Sequence, residues 1–264
     1  MVFTDKIVWI TGVSSGIGEQ LAYAFSRAGA FVILSARNKS ELERVQCRCT
    51  FPEKTHIALL DIADYSQVEE VGKQLLAQYG FVDILVNNAG ISQRSLVKDT
   101  VFAVDRKLVE VDLLGTIAVT KTVFNAMLQR GQGSIVTVTS VVGKIGTPMR
   151  SSYSAAKHGL HGFFDSLRAE VPNNKPHIML VCPGFVKTKV SVNALTGDGS
   201  RQGTMDTATV KGLSPEYVAH KILQGIRRQK EEIYIAGAKE KLGIYLKRFF
   251  PTLFSRLIRR MKVT

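Results

Sequence analysis

Tyr153 and Lys157 stand four residues apart in the run Ser152-Tyr153-Ser154-Ala155-Ala156-Lys157. At helical spacing these positions share one face, which sets a phenol beside an ammonium. A free phenol ionises near pH 10 in water, and a neighbouring cation favours the phenolate. Such a pair can pass a proton to or from a substrate oxygen as a general acid or base. Ser140 closes the apolar run Ser134–Ser140, shortly before Tyr153. A hydroxyl at a strand end suits a hydrogen bond to an oxygen on which charge develops. By itself a Tyr-x-x-x-Lys pair is more often a solvated pair on a helix surface. What makes it chemistry is the turn near the start of the chain.

That turn is Thr11-Gly12-Val13-Ser14-Ser15-Gly16-Ile17-Gly18, with glycines spaced G-x-x-x-G-x-G between an apolar run and a helical one. Glycine lets the backbone turn tightly and approach an anion. The following helix aims free N–H groups and its positive end at that anion. Ser14 and Ser15 add hydroxyl donors. The anion that fits is the pyrophosphate of a dinucleotide. The segment after the second apolar run, Ser35-Ala36-Arg37-Asn38, has no carboxylate before Glu41. An acid there would hold a ribose 2′-hydroxyl, whereas the guanidinium of Arg37 suits a 2′-phosphate. NADP(H) is therefore expected over NAD(H), against the plainer reading of Arg37 as a solvated surface residue.

Positioning these groups requires strands and helices in alternation. Short apolar runs at Lys6–Thr11, Phe31–Ser35, His56–Leu60, Val82–Val86, Ser134–Ser140, His177–Cys182 and Glu232–Ile235 predict seven strands. Helical periods over Gly16–Ala28, Lys39–Arg48, Tyr65–Tyr79, Val101–Arg130, Ser152–Val171 and Pro215–Gln229 fall between them. Continuous apolar strands separated by amphipathic helices build a parallel sheet covered on both faces. The expected fold is α/β: one Rossmann domain over residues 1–238, a doubly wound parallel seven-stranded sheet with helices on both faces. Residues 187–212 are rich in Gly, Ser and Thr without a clear period. A loop of that length is expected to be a mobile lid over the substrate. Its apolar residues Val190, Val192, Leu195 and Met205 favour a hydrophobic substrate.

Residues 239–264 carry eight Lys or Arg and one Glu. Apolar residues recur there at Leu242, Tyr245, Leu246, Phe249, Phe250, Leu253, Phe254, Leu257, Ile258 and Met261, with a kink expected at Pro251. A basic amphipathic stripe either packs on protein or lies on a membrane surface as a peripheral contact. The tail accounts for much of the net charge of +13 without nucleic acid, for which no motif is present. The three cysteines, Cys47, Cys49 and Cys182, are too few for a disulfide framework. His158 and His161 lack partners at metal-ligand spacing, so no metal is expected. No charged-then-apolar leader and no run of 18 apolar residues is seen, and a cytoplasmic location, peripheral to a membrane at most, is expected.

Together these motifs resemble the short-chain dehydrogenase/reductase family over almost the whole chain. They are Thr11-Gly12…Gly16-Ile17-Gly18, Asp61, Asn87-Asn88-Ala89-Gly90, Ser140, Tyr153…Lys157, and Pro183-Gly184 with Thr188. The resemblance implies that Tyr153 moves the proton, Lys157 binds the nicotinamide ribose and Ser140 steadies the substrate oxygen. It also implies Asp61 and Ile62 near the adenine. Asn88, Ala89 and Gly90 would line the cofactor, and Pro183, Gly184, Val186 and Thr188 would hold its nicotinamide end. In one place the chain departs from the family: Asp112, in Val111-Asp112-Leu113-Leu114-Gly115, stands where Asn is usual. Its carboxylate would offset part of the effect of Lys157. The implied activity is NADP(H)-dependent hydride transfer to a carbonyl or from a secondary alcohol, in a homodimer or homotetramer. A subgroup with similar Asn88–Ser92, Tyr153–His158 and Ser191–Arg201 segments implies lipid-like substrates. The alternative is a catalytically weak NADP(H)-binding sensor or scaffold.

Overall fold

Along each strand the side chains alternate between two apolar layers. In β1 (Ile7–Thr11), Val8 and Ile10 point to one core while Trp9 points to the other. The same division separates Val32 and Leu34 from Ile33 in β2 (Phe31–Ala36). It separates Val86 from Leu85 in β4 (Ile84–Asn87), and Val136 from Ile135 in β5 (Ser134–Val138). In β6 (His177–Pro183) it separates Met179 and Val181 from Ile178 and Leu180. Each such side chain contributes about 1.5–3 kcal/mol on burial, so both faces must be covered.

Helices α1 (Gly16–Arg27), α2 (Lys39–Cys47) and α8 (Pro215–Arg227) cover the first face with Leu21, Phe25, Leu42, Val45, Val218 and Ile222. Helices α3 (Tyr65–Tyr79), α5 (Thr116–Arg130) and α6 (Ser151–Glu170) cover the second with Val68, Leu75, Val119, Val123, Leu160 and Phe164. With β3 (Thr55–Leu59) and β7 (Glu232–Ile235), the strands form one parallel sheet in the order β3-β2-β1-β4-β5-β6-β7. The order reverses between β1 and β4, and ligands bind at the carboxyl ends of strands at such a switch point. The computed structural model describes residues 3–260, so Met261 of the apolar stripe lies outside the described residues.

Two departures from regular structure bear on the site. Helix α4 (Phe102–Val109) runs into α5 through a wider π turn at Glu110–Gly115. Such turns arise where a functional side chain is re-aimed, and Asp112 is in this one. The continuous stretch Phe102–Arg130 is long and apolar enough by composition to cross a membrane, yet Leu108, Val119, Val123 and Met127 are buried within the protein as in a core helix. Segment 187–212, expected to be a mobile lid, is held at several points. Leu195 N donates to Ser92 O at 2.8 Å, Arg94 N to Leu195 O at 2.8 Å, and Val101 N to Gly197 O at 2.9 Å. The segment also contains a short helix, α7 (Thr207–Val210).

The tail forms α9 (Ala238–Phe249) and α10 (Pro251–Ile258), broken at Phe250, with Pro251 in the first turn of α10. Proline lacks the N–H that a helix interior needs, so it starts the second helix and cannot continue the first. Phe254 is buried against Val141 and Ile145, with Ile244, Leu246 and Ile258 packed around them.

Candidate active site

A cleft of about 1110 Å³ opens where the strand order reverses. Its first half is main chain. Gly12 has φ +72° and Gly16 φ +63°. A Cβ on Gly12 would lie 2.6 Å from the Ala89 Cα, and one on Gly16 would lie 2.9 Å from the Thr188 Cγ2. Neither space nor backbone conformation admits another residue at these two turns. Ser15 is the N-cap of α1, and no side chain caps that end among the described residues. Uncapped N–H groups at a helix N-terminus facing a cleft form an anion cradle. Asn88 holds the cradle in shape: its Nδ2 donates to Thr11 O and Gly12 O, both at 3.0 Å. Thr11 Oγ1 accepts from the N–H groups of Asn88 and Ala89, both at 3.1 Å.

Ser14, Ser15, Ile17, Arg37, Asp61, Ile62, Asn88, Ala89 and Gly90 line the same cleft, as do Pro183, Gly184, Val186 and Thr188. Gly18 lies behind the wall. A Cβ there would lie 2.2 Å from Gly12 O, so this glycine serves the close packing of α1 on the turn. Arg37 Nη1 lies 3.9 Å from Asp61 Oδ2, both groups largely exposed at the outer rim. Cradle, volume and rim together fit a dinucleotide.

The second half is built from side chains. Ser140, Tyr153 and Lys157 all line it. Ser140 Oγ accepts from Val142 N at 3.3 Å and donates to Pro183 O at 3.4 Å. Tyr153 packs on Val104, Leu108 and Leu195. Lys157 is buried, with Nζ 5.7 Å from the Tyr153 ring centroid and 3.4 Å from Val138 O, to which it donates. Its ammonium lies 3.5 Å from Asp112 Oδ2. Asp112 is fully buried, and its other oxygen accepts from Ile91 N at 2.7 Å. Burial pushes the Asp112 carboxyl above the usual range, and Lys157 and the Ile91 N–H offset part of that rise. Asp112 does not reach the cleft wall; the cleft meets it only through Lys157. A Cβ on Gly90 would lie 3.2 Å from Asp112 Oδ1 and 3.3 Å from Lys157 Nζ, so Gly90 leaves room for the ion pair.

Four further residues complete this end without a motif to announce them. Arg94 donates from Nε and Nη2 to Asp206 Oδ2, at 2.9 and 2.6 Å, and Arg150 Nη2 reaches the same oxygen at 3.4 Å. All three side chains are buried, and both arginines line the cleft. Burial and the facing Arg94 lower the Arg150 guanidinium to about 10. The Asp206 carboxyl is pushed up by burial, yet hydrogen bonds and charge from the arginines hold it below the usual range. Glu240, the one acid of the tail, accepts from Phe185 N at 2.9 Å and fills the space beside Gly184. The arginines and Asp206 sit in segments without a periodic signal. A lone glutamate among lysines was the only hint of Glu240.

A Rossmann sheet, a glycine cradle and a Ser-Tyr-Lys set at one switch point define a dinucleotide-dependent oxidoreductase. The family model described as short chain dehydrogenase matches residues 6–198, and the chain belongs to the short-chain dehydrogenase/reductase family. It is 43% identical over 261 residues to "Dehydrogenase/reductase SDR family protein 7-like" of Drosophila melanogaster, covering 94% of this chain and 78% of that protein. It is 38% identical to "Dehydrogenase/reductase SDR family member 7B" of Xenopus tropicalis, covering 95% and 83%. Among solved structures it is similar to an alcohol dehydrogenase from the archaeon Thermococcus sibiricus complexed with 5-hydroxy-NADP. That match has 26% identity and a TM-score of 0.74, over 87% of this chain and 95% of that one.

Proposed function

We propose that the protein is an NADP(H)-dependent oxidoreductase that moves a hydride between the nicotinamide and a carbonyl or secondary alcohol of a hydrophobic substrate. The observation that carries this reading is Lys157, buried in one cleft with the glycine cradle, between Asp112 at 3.5 Å and the Tyr153 ring at 5.7 Å. When bound, the nicotinamide supplies the hydride to a carbonyl carbon or takes it from an alcohol. Tyr153 gives its hydroxyl proton to the carbonyl oxygen in reduction and receives it back in oxidation. Lys157 favours the phenolate state that reduction leaves behind. Ser140 donates to the same substrate oxygen as charge builds on it.

Arg37 on the cleft rim supports a 2′-phosphate, and the neighbouring archaeal dehydrogenase carries an NADP derivative. Val141, Ile145, Leu195 and Phe254 on the substrate wall support an apolar substrate. The family resemblance supports a homodimer or homotetramer, and the basic tail supports a peripheral membrane contact. The test is an NADPH-oxidation screen against long-chain ketones, steroids, retinals and sugar carbonyls, with NADH as the control. Turnover of apolar ketones with NADPH and poor use of NADH is the expected result. Turnover restricted to polar sugars, or equal use of both cofactors, would refute the respective half of the reading.

A further inference from the structure

The two tail helices have opposite duties on opposite faces. Inward, Phe254, Ile258 and Gly243 line the catalytic cleft, and Phe254 packs on Val141 and Ile145 just after Ser140. Outward, α9 presents Leu242, Tyr245 and Phe249, and α10 with its N-cap presents Phe250, Leu253 and Leu257. Each trio follows the spacing i, i+3, i+7, so each helix keeps one apolar face toward solvent. These six side chains are 46% to 68% exposed. Large apolar groups grouped in this way mark an interaction surface.

Charge selects the partner. Lys239, Lys241, Lys247, Arg248 and Arg256 on the same two helices, and Arg259 and Arg260 just after them, are all exposed. The single acid, Glu240, is turned inward onto the N–H groups of Phe185 and Gly237. Among the described residues of the tail, the outward charges are therefore all cationic around an apolar centre. A second copy docked through the same face about a twofold axis would bring like charges together. An anionic bilayer matches both properties, because its headgroups neutralise the rim and its acyl boundary takes the aromatic centre.

From this arrangement we infer that the tail is a portal: it docks on an anionic lipid surface and passes an apolar substrate from the bilayer into the cleft past Phe254 and Ile258. The inference rests on the proposed use of a hydrophobic carbonyl substrate. It adds a route by which such a molecule arrives without crossing water, since the helices that meet lipid on one side form the cleft wall on the other.

The test uses the full chain and vesicles of phosphatidylcholine, with or without phosphatidylserine. A long-chain ketone bearing a diazirine is dissolved in the vesicles. Cosedimentation reads docking, and irradiation followed by peptide mapping reads arrival in the cleft. The chain should pellet with the anionic vesicles and not with the neutral ones, and label should fall near Val141, Ile145 and Phe254. Phe249→Ser combined with Leu253→Ser should lower docking and label together by about tenfold or more, from the apolar surface withdrawn. Lys247→Glu combined with Arg248→Glu, a change of exposed charge only, should weaken docking about fivefold for each cation removed. A short water-soluble diazirine ketone should label all these proteins equally, which controls for folding. Docking without label in the cleft, or label that persists when docking is lost, would overturn the portal. So would indifference to anionic vesicles, or a dimer abolished by Phe249→Ser, which would assign the face to a second copy. Labelling needs no turnover. A chain that takes up the ketone but oxidises no NADPH would sink the proposed reaction and leave the portal standing.

Discussion

The dinucleotide half of the cleft is walled by main chain, and the substrate half by side chains from distant segments. At Gly12, Gly16 and the first turn of α1, the working groups are backbone N–H groups, and the charges nearby, Arg37 and Asp61, lie exposed at the rim. At the other end the charges are buried. Asp112 faces Lys157 at 3.5 Å, and Arg94 and Arg150 share Asp206. The same kinds of charge thus do different physical work in the two halves. A solvated arginine can be removed without harm to the fold. A buried carboxylate holds other groups in place, and its loss leaves an uncompensated charge in the interior.

The largest effect that would test this contrast is chemical. Tyr153→Phe should lower turnover by about a thousandfold, within the range for loss of a general acid or base, while NADPH titration stays unchanged. If nucleotide affinity fell in parallel, the two halves would not be separable in the way described.

Next comes Asp206→Ala, which should destabilise the protein by about 3–5 kcal/mol because it removes the carboxylate that two buried guanidiniums share. Chemical denaturation checks this. Asp206 is held below the usual carboxylate range, so the stability it contributes is present above the unfolded value and is lost as pH falls through the folded one. The gap between wild type and variant should therefore close in acid. Arg37→Ala at the rim should leave the melting temperature in place. It should raise the KM for NADPH about tenfold and leave that for NADH alone, by loss of one charged hydrogen-bonding group. A fall in stability comparable to that of Asp206→Ala would erase the distinction.

The smallest effect separates the two buried carboxylates. Asp112 is raised by burial, the opposite sign to Asp206. Between its unfolded and folded values the native state binds more protons, so wild-type stability falls as pH rises through that window. Asp112→Asn should lack this fall, and its melting temperature should gain on the wild type as pH rises above about 4. Removing the carboxylate also frees the cation of Lys157 from its offset. The pH–rate profile of Asp112→Asn should lie to lower pH than that of the wild type. Superimposable profiles would remove Asp112 from the working set.

How much of this was legible follows the same division. Strand alternation, the glycine turn, Ser140 and the Tyr153–Lys157 pair all stand in short windows, where residue type and spacing carry the physics. The expected strands fall within two residues of those formed, the fourth beginning at Ile84 where Val82 was expected. Gly18 belongs to the same spacing, and that spacing does not encode how closely it packs α1 on the turn. Segment 187–212 looked free because its composition is that of a loop. Its anchor, Asp206 on Arg94, joins residues 112 apart.

The sequence by itself determined the parallel α/β architecture, the glycine turn and the Tyr153–Lys157 pair on one helical face, because local geometry and two simple periods specify them. Only the tertiary structure decided that Asp112 reaches Lys157 through a π turn, that Glu240 turns inward onto Phe185, and that Phe254 lines the cleft. Those facts depend on which distant surfaces meet and how much water they exclude, and no local window of residues carries that information.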